Sequence, residues 1–170
     1  KNLKRGEIDV PNINLNLNYG FDFENKAIEI ESLLSKKNDK GLLLFYGPAG
    51  TGKTTFLKYL TSKIDKKFIY VPQNIMFELI GPTLLSFMLD NRNSILVIED
   101  AEKILLDREK GGNGVVSSLL NLTDGFLSEC LHVQIICTFN TSLKNIDRAL
   151  LRKGRLRFSH KFDLLSAKEA

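Results

Sequence analysis

The chain has 170 residues, 43% of them hydrophobic and 26% charged, with a formal net charge of +4. That balance fits one globular domain with a buried core and excludes a disordered, fibrous or collagen-like chain. No apolar run approaches membrane-spanning length and no signal-peptide pattern is visible, while two cysteines, Cys130 and Cys137, form neither a disulfide framework nor a metal-ligand set and fit a reduced, cytoplasmic compartment.

Residues 1–23 are polar and Asn-rich, and the alternation in INLNLNYGF predicts an edge strand or an extended linker. ENKAIEIESLLSKK, 24–37, has helical spacing. GLLLFYG, 41–47, is continuously apolar and predicts a buried strand. It runs into Gly47, four residues (Pro48, Ala49, Gly50, Thr51), then Gly52, Lys53 and Thr54, which is the phosphate-loop spacing. Glycines let the backbone curl with its N–H groups inward, around phosphate oxygens. Lys53 then reaches the β- and γ-phosphates, and the Thr54 hydroxyl is a Mg²⁺ ligand. The helix that opens near Lys53 and continues through Thr55 aims its partly positive N-terminus at the same anion. Phe56, Leu57, Leu60 and Ile64 share one face of that helix.

Further along, KFIYVP (67–72) predicts a strand closed by Pro72, and NIMFELIGPTLLSFMLD (74–90) is broken at Gly81-Pro82. SILVIED (94–100) is an apolar strand ending in Glu99 and Asp100. AEKILLDREK (101–110) predicts a helix, GGNG (111–114) a loop and VVSSLLNLTDGF (115–126) a helix. HVQIICTFN (132–140) is a buried strand that contains Cys137 and ends at Asn140. NIDRALLRKG (145–154) predicts a short helix with Gly154 as its C-cap, and RFSHKFDL (157–164) a last strand. His132 and His160 are isolated and read as structural. The basic clusters KNLKR and LRKGRLR suit nucleic acid or a solvated surface equally.

Continuously apolar strands alternating with helices point to a parallel sheet covered on both faces. Such sheets bind ligands beyond the carboxyl ends of their strands, where the phosphate loop, Glu99-Asp100 and Asn140 all fall. One pocket could collect all of them. The acidic pair offers carboxylates to a metal, which hydrolysis of a nucleotide needs beside a positioned water and charge compensation. Asn140 could hold that water or touch the γ-phosphate, although a strand-end Asn also serves as a turn residue. The guanidinium groups of Arg152 and Arg155 suit a phosphate fork, or are solvated arginines after a helix.

GPAGTGKTT, SILVIEDAE, CTFN and NIDRALLRKGRLRF occur in the order and approximate spacing of AAA+ ATPases, and VVSSLLNLTDGF is similar to the "LLNxLDG" helix of the AAA subfamily. The chain resembles that subfamily over roughly residues 14–170, with the branch of the mitochondrial Rieske-protein translocase as one comparison. The resemblance implies an α/β P-loop NTPase: a five-stranded parallel sheet flanked by helices, with the Asn140 strand between the phosphate-loop strand and the acidic strand. It implies ATP and Mg²⁺ as cofactors and ATP hydrolysis as the activity. Lys53 would act on the phosphates, Thr54 and Glu99 on the metal, Asp100 on the attacking water and Asn140 as sensor 1. Arg152 and Arg155 would act across subunits of a homo-oligomeric ring, commonly a hexamer, and Asn18, Tyr19 and Gly20 would lie near adenine. FELIGP resembles the first pore loop, with Leu79 where an aromatic is usual, and GGNG the second. SAKEA resembles the opening of a helical lid that is otherwise missing, so the chain is expected to be the core of a longer protein. The implied division is a linker or edge segment at 1–23, an ATPase core at 24–165 and the start of the lid at 166–170.

Besides Leu79, the chain departs from the family pattern in two places. Glu99-Asp100 inverts the usual Asp-Glu, which makes the candidate base one methylene shorter; the translocase branch carries the same order. Arg157 replaces the usual Asp after Gly154-Arg155-Leu156. The first functional expectation is a ring ATPase that remodels or translocates protein. The alternatives are a nucleotide-dependent switch on DNA, or a nucleotide-binding module with little hydrolysis.

Overall fold

The computed structural model describes residues 5–79, 81–105 and 114–164. The end of the 101–110 helix, most of the GGNG loop and the 166–170 lid segment lie outside the described residues. Five parallel strands form one sheet: β1 (Gly41–Tyr46), β2 (Phe68–Tyr70), β3 (Ile95–Ile98), β4 (Gln134–Phe139) and β5 (Leu156–Lys161). Their order is β2-β3-β4-β1-β5. The strand leading to Asn140 thus lies between the phosphate-loop strand and the acidic strand, as the family resemblance implies.

The buried strands bury both of their faces, and side-chain alternation sorts them into separate cores. Leu43 and Phe45 of β1, Ile95 and Val97 of β3 and Ile136 of β4 pack against α2 (Phe23–Ser35) and α3 (Lys53–Lys63). Leu42, Leu44, Leu96, Ile98, Ile135, Cys137 and Phe139 face the other way. There they meet Met76 of α4 (Gln73–Glu78), Leu84 and Met88 of α5 (Pro82–Leu89), Ile104 and Leu105 of α6 (Glu102–Leu105), Val115, Leu119 and Leu122 of α7 (Gly114–Asp124) and Leu131 of α8 (Ser128–Leu131). Gly81-Pro82 does break the 74–90 segment, with Pro82 opening α5. Cys137 is buried, as its strand position predicts, and Cys130 is exposed.

Two stretches depart from expectation. Residues 15–19 form a short helix, α1 (Leu15–Tyr19), where an edge strand or extended linker was expected. Asn14 caps it by accepting from the Leu17 N–H at 3.1 Å. Leu15 and Tyr19, one helical turn apart, both pack on the α2/α3 core. The Asn-rich alternation therefore reflects caps and solvent-facing positions, not a pleat. The predicted 145–154 helix is a 3₁₀ turn (Leu143–Asn145) followed by further turns. Its bonds close after three residues, from Leu150 N–H to the Asp147 carbonyl at 3.0 Å and from Leu151 N–H to the Arg148 carbonyl at 3.1 Å. The Asp147 N–H is drawn away to the Leu105 carbonyl, and the Asp147 carboxylate accepts from Ala149 N–H, so no α-helical ladder forms. Gly154 still takes the left-handed conformation, at φ 97°, but it caps no helix.

His160 is structural. It lies half-buried on β5, with ring centroids of Phe23 at 5.2 Å and Phe162 at 4.9 Å. Burial, then the charge of Lys26, lowers its pKa to about 4, against the opposing pull of Asp163. Between pH 6.5 and 4 the unfolded chain therefore binds a proton that the folded chain refuses, so stability falls as pH falls through that window. His160→Gln should lose less stability than the parent between pH 7 and pH 5 in denaturant titrations. Equal losses would contradict the assignment.

Candidate nucleotide site

The site sits at the carboxyl ends of β1, β3 and β4. β1 delivers Gly47 at φ 138°, and a Cβ there would lie 1.9 Å from the Phe162 carbonyl oxygen, so only glycine passes. The loop Gly47–Gly52 then closes on α3, whose N-cap is Gly52 in the left-handed region (φ 85°, ψ 15°). Lys53 is only 6% exposed and its ammonium curls back into the loop. It donates to the carbonyls of Gly47 at 2.9 Å and Pro48 at 2.8 Å, with Thr51 Oγ1 at 3.4 Å. Burial lowers the Lys53 pKa, while the charges of Asp100 and Glu102 oppose that shift. The loop thus holds a cation inside a ring of oxygen acceptors that a phosphate oxygen, a stronger acceptor, would displace. Ala49 and Gly50 are exposed on the loop, and Thr55 is half-buried in the first turn of α3.

Thr54 Oγ1 donates to Glu99 Oε1 at 2.5 Å, which joins the helix start to the end of β3. A hydroxyl beside a carboxylate is a donor set that suits a hard divalent cation. Asp100, next in the chain, is a non-glycine residue at φ 50°. Its surroundings hold that unusual conformation from three directions. Its N–H donates to Thr138 Oγ1 at 3.2 Å, its carbonyl accepts from the Gln73 amide, and its carboxylate accepts from Asn140 Nδ2 at 3.2 Å. The Asn140 N–H in turn donates to Glu102. A cavity of about 430 Å³ opens beside the acids, lined by Tyr70, Val71, Pro72, Gln73, Glu99 and Asp100. Tyr70 has its hydroxyl pKa pushed up to about 12 by burial and then by Glu99.

The fold therefore brings together Gly47, Pro48, Thr51, Gly52, Lys53, Thr54, Glu99, Asp100 and Asn140. Tyr19 joins them, its hydroxyl on the Gly52 carbonyl at 3.0 Å. Asn18 turns back to accept from the Asn14 N–H at 3.1 Å, and Gly20 is buried behind α1. Arg152 and Arg155 are elsewhere. The Arg155 carbonyl accepts from Leu42 N–H at 2.8 Å, at the opposite end of β1 from the loop. The five steps from Leu42 to Gly47 span about 16 Å of strand, beyond the reach of one arginine. The Arg155 guanidinium rests on Asp124 Oδ2 at 2.9 Å and the Ala149 carbonyl at 3.0 Å, and Arg152 is exposed nearby. Leu79 is buried in the larger core rather than presented outward. Tyr70, Gln73, Glu102 and Thr138 were not singled out in the sequence. Thr138 and Glu102 sit inside the quoted motifs CTFN and EDAE, but only the folded register aims them at Asp100 and Asn140.

The family model described as "ATPase family associated with various cellular activities (AAA)" matches residues 43–164. The chain belongs to the AAA ATPase family. The motif resemblance drawn from the sequence agrees with this. Among curated relatives of this AAA chain, AAA-ATPase At2g46620 of Arabidopsis thaliana is 32% identical over 146 residues, 79% of the chain and 29% of the relative. A probable mitochondrial chaperone bcs1 of Schizosaccharomyces pombe is 31% identical over 121 residues, 66% of the chain and 26% of the relative. AAA-ATPase At2g18190 of Arabidopsis thaliana is 31% identical over 145 residues, 77% of the chain and 29% of the relative. The AAA chain thus spans less than a third of each of these relatives. Among its described residues no helix is long and apolar enough to cross a membrane.

Proposed function

We propose that the chain is the ATP-hydrolysing core of a ring assembly that remodels or translocates protein. The observation that carries the hydrolytic part of this reading is the contact of Thr54 with Glu99 at the mouth of the Lys53 loop, with Asp100 held one residue away by Asn140; the ring and the protein substrate follow the family resemblance. MgATP, when bound, supplies the scissile phosphoanhydride and a cation that neutralises its charge. Lys53 and the loop amides from Gly47 to Thr55 bind and orient the phosphates. Thr54 and Glu99 would hold the cation. Asp100 takes the proton of the attacking water, and Asn140 fixes the direction of the Asp100 carboxylate. Asn18 and Gly20 border the adenine end, Tyr19 between them turns its hydroxyl to the loop, and residues 24–165 form the ATPase core.

Arg152 and Arg155 serve a neighbouring subunit. Support for this comes from their distance from the loop of their own chain and from Phe126, 92% exposed two residues beyond the Asp124 that holds Arg155. An exposed aromatic beside a charge pair fits a surface that a second copy covers. Mixing Arg155→Ala with Lys53→Ala subunits should restore turnover that each lacks alone. At equal amounts roughly a quarter of the wild-type rate is expected, since that is the chance of the productive neighbour pair in a head-to-tail ring. The rate should not change with added single- or double-stranded DNA. No rescue at any ratio contradicts action across subunits, and salt-sensitive stimulation by DNA would favour a switch on nucleic acid instead.

A further inference from the structure

We infer that the Tyr19 hydroxyl is a positioning group for the phosphate loop, acting on the loop backbone rather than on adenine; this rests on the nucleotide-site reading above. The Gly52 carbonyl accepts two hydrogen bonds, from Phe56 N–H at 2.9 Å within α3 and from the Tyr19 hydroxyl at 3.0 Å. That fills the acceptor capacity of the carbonyl. The Gly52–Lys53 peptide is planar and trans, so its N–H points opposite to its C=O. Holding the carbonyl from both sides therefore fixes the direction of the Lys53 N–H. That N–H belongs to the first turn of α3, has no partner within the helix and points out of its N-terminus toward a bound anion.

Tyr19 is suited to this task. Its ring packs against Phe23 at 4.7 Å, Phe162 at 5.6 Å and Phe56 at 5.7 Å. Burial pushes its pKa up to about 12, so the hydroxyl stays a donor at neutral pH. Its ring edge also occupies the space that a Gly52 Cβ would need, at 2.9 Å, so ring and glycine are complementary. The same aromatic group reaches the other end of the loop. Phe162 lays its carbonyl against Gly47, and its N–H donates to the Tyr46 carbonyl at 2.6 Å. One cluster, joining the helix before the core to the segment after β5, thus grips the loop at both glycine ends.

The test compares Tyr19→Phe with the parent, measuring the Kd of MgATP and of magnesium tripolyphosphate, which has no base, and the melting temperature of the ligand-free protein. Loss of the hydroxyl removes one hydrogen bond and leaves the ring. Both ligands should weaken about fivefold and to the same extent. The melting temperature should move by no more than about 4 °C. Weakening of ATP alone would overturn the inference, because it would mark an adenine contact. Unchanged affinity for both ligands would overturn it too, as would a larger fall in melting temperature, which would mark general loosening. Lys53→Ala is measured alongside. Intact affinity in that variant would refute the nucleotide-site reading itself, whereas lost affinity there with unaffected Tyr19→Phe refutes the Tyr19 inference alone.

Discussion

Asp100→Asn should lower ATP turnover by about a thousandfold while MgATP stays bound, because removing a general base costs 10²- to 10⁴-fold. The isosteric amide keeps the size of the side chain and lets the strained backbone of Asp100 retain its bonds to Thr138 and Gln73. It removes the charge that is proposed to take the proton from water. Glu99→Gln should behave differently. It weakens the carboxylate beside Thr54, so the magnesium concentration needed for half-maximal turnover should rise while nucleotide remains able to bind. Single-turnover rates and magnesium titrations of both variants separate the roles. If Glu99→Gln traps ATP and Asp100→Asn shifts the magnesium requirement, the two acids are exchanged, and the order follows chemistry rather than chain position. Unchanged turnover in both variants would remove both acids from the chemistry, and absence of turnover in the parent despite tight ATP binding would mark a module that binds nucleotide without hydrolysing it.

Lys53→Ala should weaken ATP binding a hundredfold or more, about 2.8 kcal/mol at 1.4 kcal/mol per decade. The ammonium is nearly buried, and its present partners are carbonyls of the loop itself. Those carbonyls also lose a donor in the variant, so the loop should open as well as lose its charge. Lys53→Arg should not rescue, since a planar guanidinium is larger and forked and cannot sit in the same curl. Equilibrium titration with ATP measures both. Wild-type affinity in Lys53→Ala would mean that nucleotide binds elsewhere.

Much of the site was legible because its residues are adjacent in the chain. The spacing from Gly47 to Thr54 carries its own geometry, and a continuously apolar strand ending in Glu99-Asp100 marks a carboxyl end without any tertiary information. The sheet order came from resemblance, because no local pattern says which strands pair. Residues 15–19 were misread because a helix of a single turn has too few positions to show a period, and its stability comes from packing Leu15 and Tyr19 on the core. The 145–154 stretch has helical composition, but contacts distant in sequence, such as Asp147 with Leu105, override propensity. The same cause hid Gln73 and Tyr70. They reach the acids only because β2 pairs with β3.

The loop around Lys53 and the contact of Thr54 with Glu99 are proposed to form one site for MgATP. A crystal structure grown with a non-hydrolysable ATP analogue and magnesium tests it most directly. Phosphates are expected inside the Gly47–Thr54 curl, with Lys53 turned from its own carbonyls onto them and the metal between Thr54 and the Glu99 side. A loop left empty at saturating ligand, or a metal bound away from both residues, would contradict it.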